Sequence, residues 1–482
     1  MNKKYSKLIP YISLILLILS LIPLILLGRY SYPTGDDFYY GAETHLVWES
    51  THSIIQTLKT AIDGVKETYL TWQGSYSGLL LMHLAPNVFS INAYHFVPLV
   101  IILLLCGGIF FLLNPLLCKL LSANVSEWIT VSSVISFMCV QTVAYRSDSF
   151  YWYNGSMYYT GFFAVTLFFF GLVLRYMQGI KKITLLPLFL LAIFLGGGNY
   201  VSLLPCMILL LAITAFQIAR KKEKAIGLSF ISLTLLVSFA FSALAPGNSV
   251  RQDGMWKIPA WKAVVKSLIQ GFKYTFIWAR LWWLLAFVLL VPVVYQIIKR
   301  CKESGRLQTS SFSHPILFTG FFYGLFASMS CPPFYTMNSI GPVRAIAVIY
   351  YAFILISFSV VFYWIGFYVQ KGNDKLKFKA PIRYGIIAAV MLAIILTGGL
   401  KNLTCVEASE NLISGEATGY ATEYEDRLNL LYSSQGEDVI LTPFTHKPSV
   451  SYTGDLPGAP ADPTCEKAAV YFEVKSLYVA YE

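Results

Sequence analysis

The chain has 482 residues, of which 56% are hydrophobic and only 13% charged, and its mean hydropathy is +0.61. That much apolar surface excludes a water-soluble globular protein and calls for a bilayer as solvent. The net charge of +11 comes from Lys and Arg scattered between hydrophobic runs. This pattern fits the basic cytoplasmic loops of a membrane protein and not the single basic face of a nucleic-acid binder.

About 20 apolar residues cross the hydrocarbon of a bilayer, and on that criterion the sequence predicts an all-α polytopic protein with about eleven spans. In chain order they are Leu8 to Gly28, Phe96 to Leu117, Trp128 to Val143, Met157 to Leu174, Ile183 to Leu195 and Tyr200 to Ile218. Ala225 to Ala245, Thr275 to Ile298, Pro315 to Met329, Ala345 to Val369 and Tyr384 to Leu400 follow. The first run has no small-residue cleavage site before Asp36, so it reads as a retained helix and not a signal peptide.

Basic residues mark every second loop. Lys3, Lys4 and Lys7 precede the first span, and Lys119, Lys181, Lys182 and Arg220 to Lys224 follow. Lys299 to Arg306 and Lys371 to Arg383 complete the series. The positive-inside bias then puts the N-terminus in the cytoplasm and the C-terminus outside a bacterial cell membrane. Two regions are expected: a membrane domain, 1–400, with a long extracytoplasmic first loop, 29–94, and a small exported α/β segment, 401–482. The latter shows strand-like alternation around Asp438-Val-Ile-Leu and turns at Pro457, Gly458 and Pro460. Two amphipathic stretches, Ile54 to Tyr69 and Ile258 to Gly271, predict helices lying in the membrane plane. Among eight cysteines there is no metal-type spacing. Cys106, Cys139 and Cys206 sit in apolar runs as packing residues, and a disulfide between Cys405 and Cys465 in the tail is left open.

The sharpest polar cluster follows the first span: Tyr32-Pro-Thr-Gly-Asp36-Asp37-Phe-Tyr39-Tyr40. Adjacent carboxylates at a membrane surface are costly to bury without cations, a metal or a proton. One can serve as a general base for an acceptor hydroxyl, and the pair leaves room for a divalent cation, Mg or Mn, held through oxygen. The plain alternative is a solvated turn capping the next helix. Further groups follow the same logic. Trp72-Gln73-Gly-Ser-Tyr76 offers aromatic faces and an amide suited to sugars. Arg146-Ser-Asp148-Ser-Phe-Tyr-Trp152-Tyr-Asn154 crowds a cation, a carboxylate, rings and an amide into one outer loop. Gly-Gly-Gly-Asn199 and Ala245-Pro-Gly-Asn248-Ser-Val-Arg251 end or join spans on the same side. His45 follows the acid pair closely, whereas His52, His83 and His95 show no zinc spacing.

A first helix running outward, Asp36-Asp37 directly after it, in-plane helices in a long first outer loop and an exported C-terminal segment together resemble the GT-C membrane glycosyltransferases. The pieces Gly35-Asp36-Asp37-Phe-Tyr-Tyr, Trp72-Gln-Gly-Ser-Tyr76-Ser, Tyr151-Trp-Tyr-Asn154-Gly and Ala245-Pro-Gly-Asn248-Ser-Val-Arg251 also resemble an uncharacterised bacterial family of multi-pass membrane proteins. The resemblance implies a catalytic acid at Asp36 or Asp37, a polyprenyl-phosphate-linked sugar as donor, a glycan or cell-envelope acceptor and no required cofactor. Arg251, Arg280 and Arg344 are then the candidates for the lipid phosphate, since a guanidinium fork matches phosphate oxygens. Arg280 stands out because it falls within an apolar run, where charge is expensive. The competing readings are a lipid-linked sugar flippase or transporter, a glycan polymerase or ligase using a glycan-diphosphate donor, and a non-enzymatic assembly factor.

Overall fold

The computed structural model describes residues 9–179, 182–305, 311–372 and 380–481. Lys3, Lys4, Lys7, Lys181, Arg306, Lys375, Lys377 and Lys379, and the side chains of Lys182 and Arg383, lie outside that description. The chain is a bundle of apolar helices carrying a polar cap at one end. Among the described residues eight helical segments are long and apolar enough to cross a membrane, and three shorter apolar helices accompany them: Val125–Gln141, Leu185–Gly196 and Tyr384–Leu396.

Helix α1 (Ile9–Leu27) leads into a cap built of α2 (Asp36–Thr51), α3 (Ile54–Thr71) and α4 (Tyr76–His83). The bundle continues with α5 (Val97–Asn114), α6 (Val125–Gln141), α7 (Phe162–Met177), α8 (Leu185–Gly196), α9 (Tyr200–Ala219) and α10 (Ala225–Ala243). At the cap end lies α11 (Pro246–Asp253), followed by α12 (Ala260–Trp278), α13 (Leu281–Glu303), α14 (Pro315–Ser328), α15 (Val343–Gln370) and α16 (Ala380–Leu396). The opposite end is clamped by Arg300, whose two terminal nitrogens bond both Glu127 oxygens at 2.8 and 2.7 Å. A bidentate fork of this kind fixes orientation as well as distance.

Both predicted amphipathic stretches form helices. Helix α3 turns Thr57 and Ala61 inward and leaves Ile54, Ile55, Leu58 and Ile62 exposed, along with Lys59 and Lys66. Helix α12 runs seven residues beyond the predicted end, to Trp278, and the expected Thr275–Ile298 span does not exist as one helix. The chain breaks at Ala279 and Arg280, where the backbone leaves helical angles. Arg280 therefore does not lie within a continuous apolar helix. It is an exposed residue at the N-cap of α13.

The C-terminal segment contains α17 (Thr404–Ile413), α18 (Glu416–Ser433), strand β1 (Asp438–Leu441), α19 (Pro463–Tyr471) and strand β2 (Ser476–Val479). The strands pair in parallel, Asp438 opposite Ser476 and Leu441 opposite Val479. Parallel strands need a crossover, and α19 lies between them in the chain. The buried strand residues Val439, Leu441, Leu477 and Val479 share one core with Cys465 and Ala468 of α19 and with Phe38 and Ala42 of α2. The tail thus packs directly on the acidic turn's own helix. Cys405 and Cys465 do not form the disulfide left open by the sequence: both are free thiols in different clusters, and Cys465 donates to the Pro457 carbonyl.

Candidate functional site

Gly35 adopts φ +50°, a left-handed value that glycine reaches without penalty, and so turns the chain into α2. The turn closes reciprocally. The Asp37 N–H donates to the Thr34 carbonyl at 3.0 Å, and the Thr34 N–H donates back to Asp37 Oδ2 at 3.0 Å. Consecutive positions on the first turn point in different directions, and this separates the two acids.

Asp37 is fully buried. Besides Thr34, the Tyr94 hydroxyl donates to Oδ2 at 2.7 Å and the Asn154 N–H to Oδ1 at 3.3 Å. Tyr94 in turn accepts from the Tyr153 N–H at 2.8 Å. One carboxylate therefore ties together the first loop, the residues leading into α5 and the Tyr151-Trp-Tyr-Asn154 loop. Burial pushes the Asp37 carboxyl up to about 7 against the pull of its donors. With its oxygens occupied by three donors and no access to solvent, Asp37 serves as a clamp in the fold.

The sign of this shift has a testable consequence. Asp37 takes up its proton more readily folded than unfolded, so its contribution to stability is greatest below pH 4 and is lost as pH rises to about 7. The thermal midpoint in detergent should fall across that window, and Asp37→Asn should flatten the difference. Parallel curves for both proteins would contradict the assignment.

Asp36 is half-buried and open to the cap surface. Burial raises its carboxyl above the ordinary range, while Arg344 and Arg251 pull it down. Those arginines come from α15 and α11, far apart in sequence. Arg344 lies over the Trp152 ring at 4.8 Å and near Tyr159 at 5.7 Å, and its Nη1 is 3.7 Å from Asp148 Oδ1. Arg251 lies 5.2 Å from the Trp72 ring and donates to Gln73 Oε1 at 2.5 Å. Burial of Tyr40, beside Asp36, raises its phenol well above the usual range, so its hydroxyl stays protonated at neutral pH. The arrangement sets the Asp36 and Asp148 carboxylates in the field of two aromatic-backed guanidiniums, with Trp72 remaining 44% exposed. It can accept a proton at Asp36 and hold an anion at the arginines.

Asn154 is 3% exposed, and neither polar atom of its amide has a hydrogen-bond partner; the Trp152 indole N–H is likewise unpartnered. A buried amide left unpaired costs a few kcal/mol, so the Asn154 amide has a donor and an acceptor to offer a bound group.

Other sequence candidates hold the scaffold. His45 stacks on Tyr471 at 3.9 Å and bonds the Val88 carbonyl at 3.0 Å, joining α2 to the tail. Tyr76 bonds the Ile193 carbonyl at 2.6 Å. Asn199 caps α9 by accepting from the Val201 N–H at 2.8 Å. Asn248 accepts from the Gly74 N–H at 3.0 Å and donates to the Ser242 carbonyl at 2.8 Å. Arg146 pairs with Glu407 at 2.9 Å and with the Asn402 carbonyl, fastening α17. Arg280 is not among the charges that act on Asp36.

Asp37 is committed to hydrogen bonds, Asp36 faces two cations, and among the described residues no three His, Cys, Asp or Glu side chains gather. Sequence reasoning missed Tyr94 and Tyr159, and it quoted Tyr40 in the acidic cluster without giving it a role. Tyr159 alone left a trace, lying seven residues after Trp152, two helical turns on. Fold and site define a polytopic helical membrane protein with a charged, aromatic-lined cap. No family model matches the chain, and no curated protein matches it.

Proposed function

We propose that the protein is a membrane glycosyltransferase of GT-C type that moves a sugar from a polyprenyl-phosphate donor to a glycan or cell-envelope acceptor. The observation that carries this reading is the half-buried Asp36 carboxylate lying in the field of Arg344 and Arg251, each guanidinium beside an indole ring. In this reading the eight long and three shorter apolar helices are eleven crossings of a bacterial cell membrane. The N-terminus is cytoplasmic, and the cap with its tail is extracytoplasmic.

Asp36 takes the proton of the acceptor hydroxyl. The acceptor oxygen attacks the anomeric carbon, the bond from that carbon to the phosphate oxygen breaks, and the carrier phosphate departs with inversion. Charge grows on the phosphate as the bond breaks, and fixed guanidiniums stabilise it most at that point. Trp72 and Trp152 offer ring faces to the sugar, and the unpaired Asn154 amide offers a donor and an acceptor to its hydroxyls.

The test uses purified protein in proteoliposomes containing a polyprenyl-phosphate-linked sugar, with acceptor supplied from the cap side. Carrier phosphate should be released in step with sugar transfer. Absence of release across a panel of hexose, pentose and aminosugar carriers would overturn the reading, as would release only from glycan diphosphates.

A further inference from the structure

A second cavity, of about 910 Å³, lies at the cap end of the bundle where α12 breaks into α13. Its walls include Tyr145, Tyr274, Trp278 and Trp282, with Asn402 and Arg280 beside them. It does not contain Asp36, Trp72, Trp152, Arg251 or Arg344. The first turns of α15 separate the two places. Arg344 is turned to Trp152 and Asp148, whereas Ile346, Ala347 and Tyr350 line the second cavity.

Three features state what this cavity would hold. First, Arg280 is exposed, and among the described residues no carboxylate pairs with it. Second, the lining includes Ile277, Leu284 and Ile340, which are 45%, 38% and 41% exposed. Such a rim suits hydrocarbon better than water. Third, three of the walls are indoles at a helix end, the side chain that favours the level of lipid headgroups. A cation at that level, over an aromatic recess with apolar edges, matches a phosphate head with its chains leaving along the bundle.

We propose that this cavity is a binding site for an anionic phospholipid of the surrounding leaflet, with its phosphate on Arg280 and its glycerol region against Trp278 and Trp282. The site is independent of whatever reaction Asp36 serves. A phospholipid seated there would also brace Tyr145. That residue begins the loop that carries Asp148, Trp152 and Asn154 to the other site.

Native mass spectrometry of the full-length protein in detergent tests this, with phosphatidylglycerol, phosphatidylcholine and a polyprenyl monophosphate titrated as separate probes. Wild type should bind one phosphatidylglycerol in preference to phosphatidylcholine. Arg280→Gln, at an exposed side chain, should weaken phosphatidylglycerol about tenfold, as expected for the loss of a charged hydrogen bond. Thr397→Trp keeps the charge but fills the recess, and it should abolish the high-affinity site. Thermal unfolding verifies that both variants fold. Equal phosphatidylglycerol affinity in wild type and both variants would overturn the proposal. So would displacement of the phosphatidylglycerol by lower concentrations of the polyprenyl monophosphate, which would make this a carrier site.

Discussion

Asp36→Asn is expected to reduce sugar transfer by about 10²- to 10⁴-fold, the usual worth of a positioned general base, while the protein stays folded and retains its lipid-linked substrate. The substitution preserves shape at a half-buried position and removes only the capacity to accept a proton. The pH dependence carries a second signature. Because burial holds the Asp36 carboxyl above its ordinary range and Arg344 and Arg251 pull it back, the acid limb of the rate profile belongs to this group. Arg344→Gln removes part of that pull, so the limb should move to higher pH as phosphate binding weakens. A purely structural role for Arg344 would lower the rate without moving the limb. Transfer at the wild-type rate by Asp36→Asn would end the assignment of a base there.

The second large effect is expected at Gly74. A Cβ at this position would lie 1.9 Å from the Ser242 carbonyl oxygen and 2.5 Å from the Ala245 Cβ. Across the same contact, a Cβ at Gly247 would lie 2.4 Å from the Trp72 amide nitrogen. Main-chain atoms on both sides leave no flexible group to yield. Gly74 and Gly247 thus let two loops touch backbone to backbone, and Asn248 and the Arg251–Gln73 bond secure the contact. Gly74→Ala should cost about 3 kcal/mol or more, at the upper end of overpacking penalties, and should loosen Arg251 from Trp72. Thermal unfolding in a fixed detergent measures this. Gly320→Ala in α14, where nothing lies within 4 Å of the added carbon, is the matched control and should leave stability unchanged or slightly higher. Equal midpoints for the two variants would show that the loops can part freely.

The helical membrane architecture was legible because hydrocarbon demands long apolar runs, and such runs survive in composition alone. The α12–α13 break was hidden for the same reason: Ile277, Trp278, Leu281 and Trp282 flank Arg280 with apolar residues, so hydropathy reads straight through a bend. Local motifs also predicted participation better than role. The segments around Trp72, Asn154 and Asn248 do meet at the cap, yet Asn248 and Tyr76 spend their polar atoms on backbone groups of neighbouring segments. The two neighbouring acids looked equivalent in sequence. They part because a helix turns about 100° per residue, burying one under Tyr94 and leaving the other beside the arginines. No short-range pattern announces Tyr94, whose partner is 57 positions away, or Arg344, more than 300 positions from Asp36.

The packing of α19 and α18 on the acidic turn has a consequence for biosynthesis. Tyr424 stacks on Tyr32 at 4.2 Å and bonds the Pro33 carbonyl at 2.7 Å, and Phe38 is enclosed by Tyr471 and Phe472. The turn is synthesised well before the aromatic cover that immobilises it, since Pro33 and Tyr424 are 391 positions apart. A nascent chain halted before residue 404 therefore has every helix of the bundle and an unsupported Asp36. Burial of the turn must therefore follow the synthesis of α18 and α19, and a product stalled or clipped before them would keep the turn uncovered.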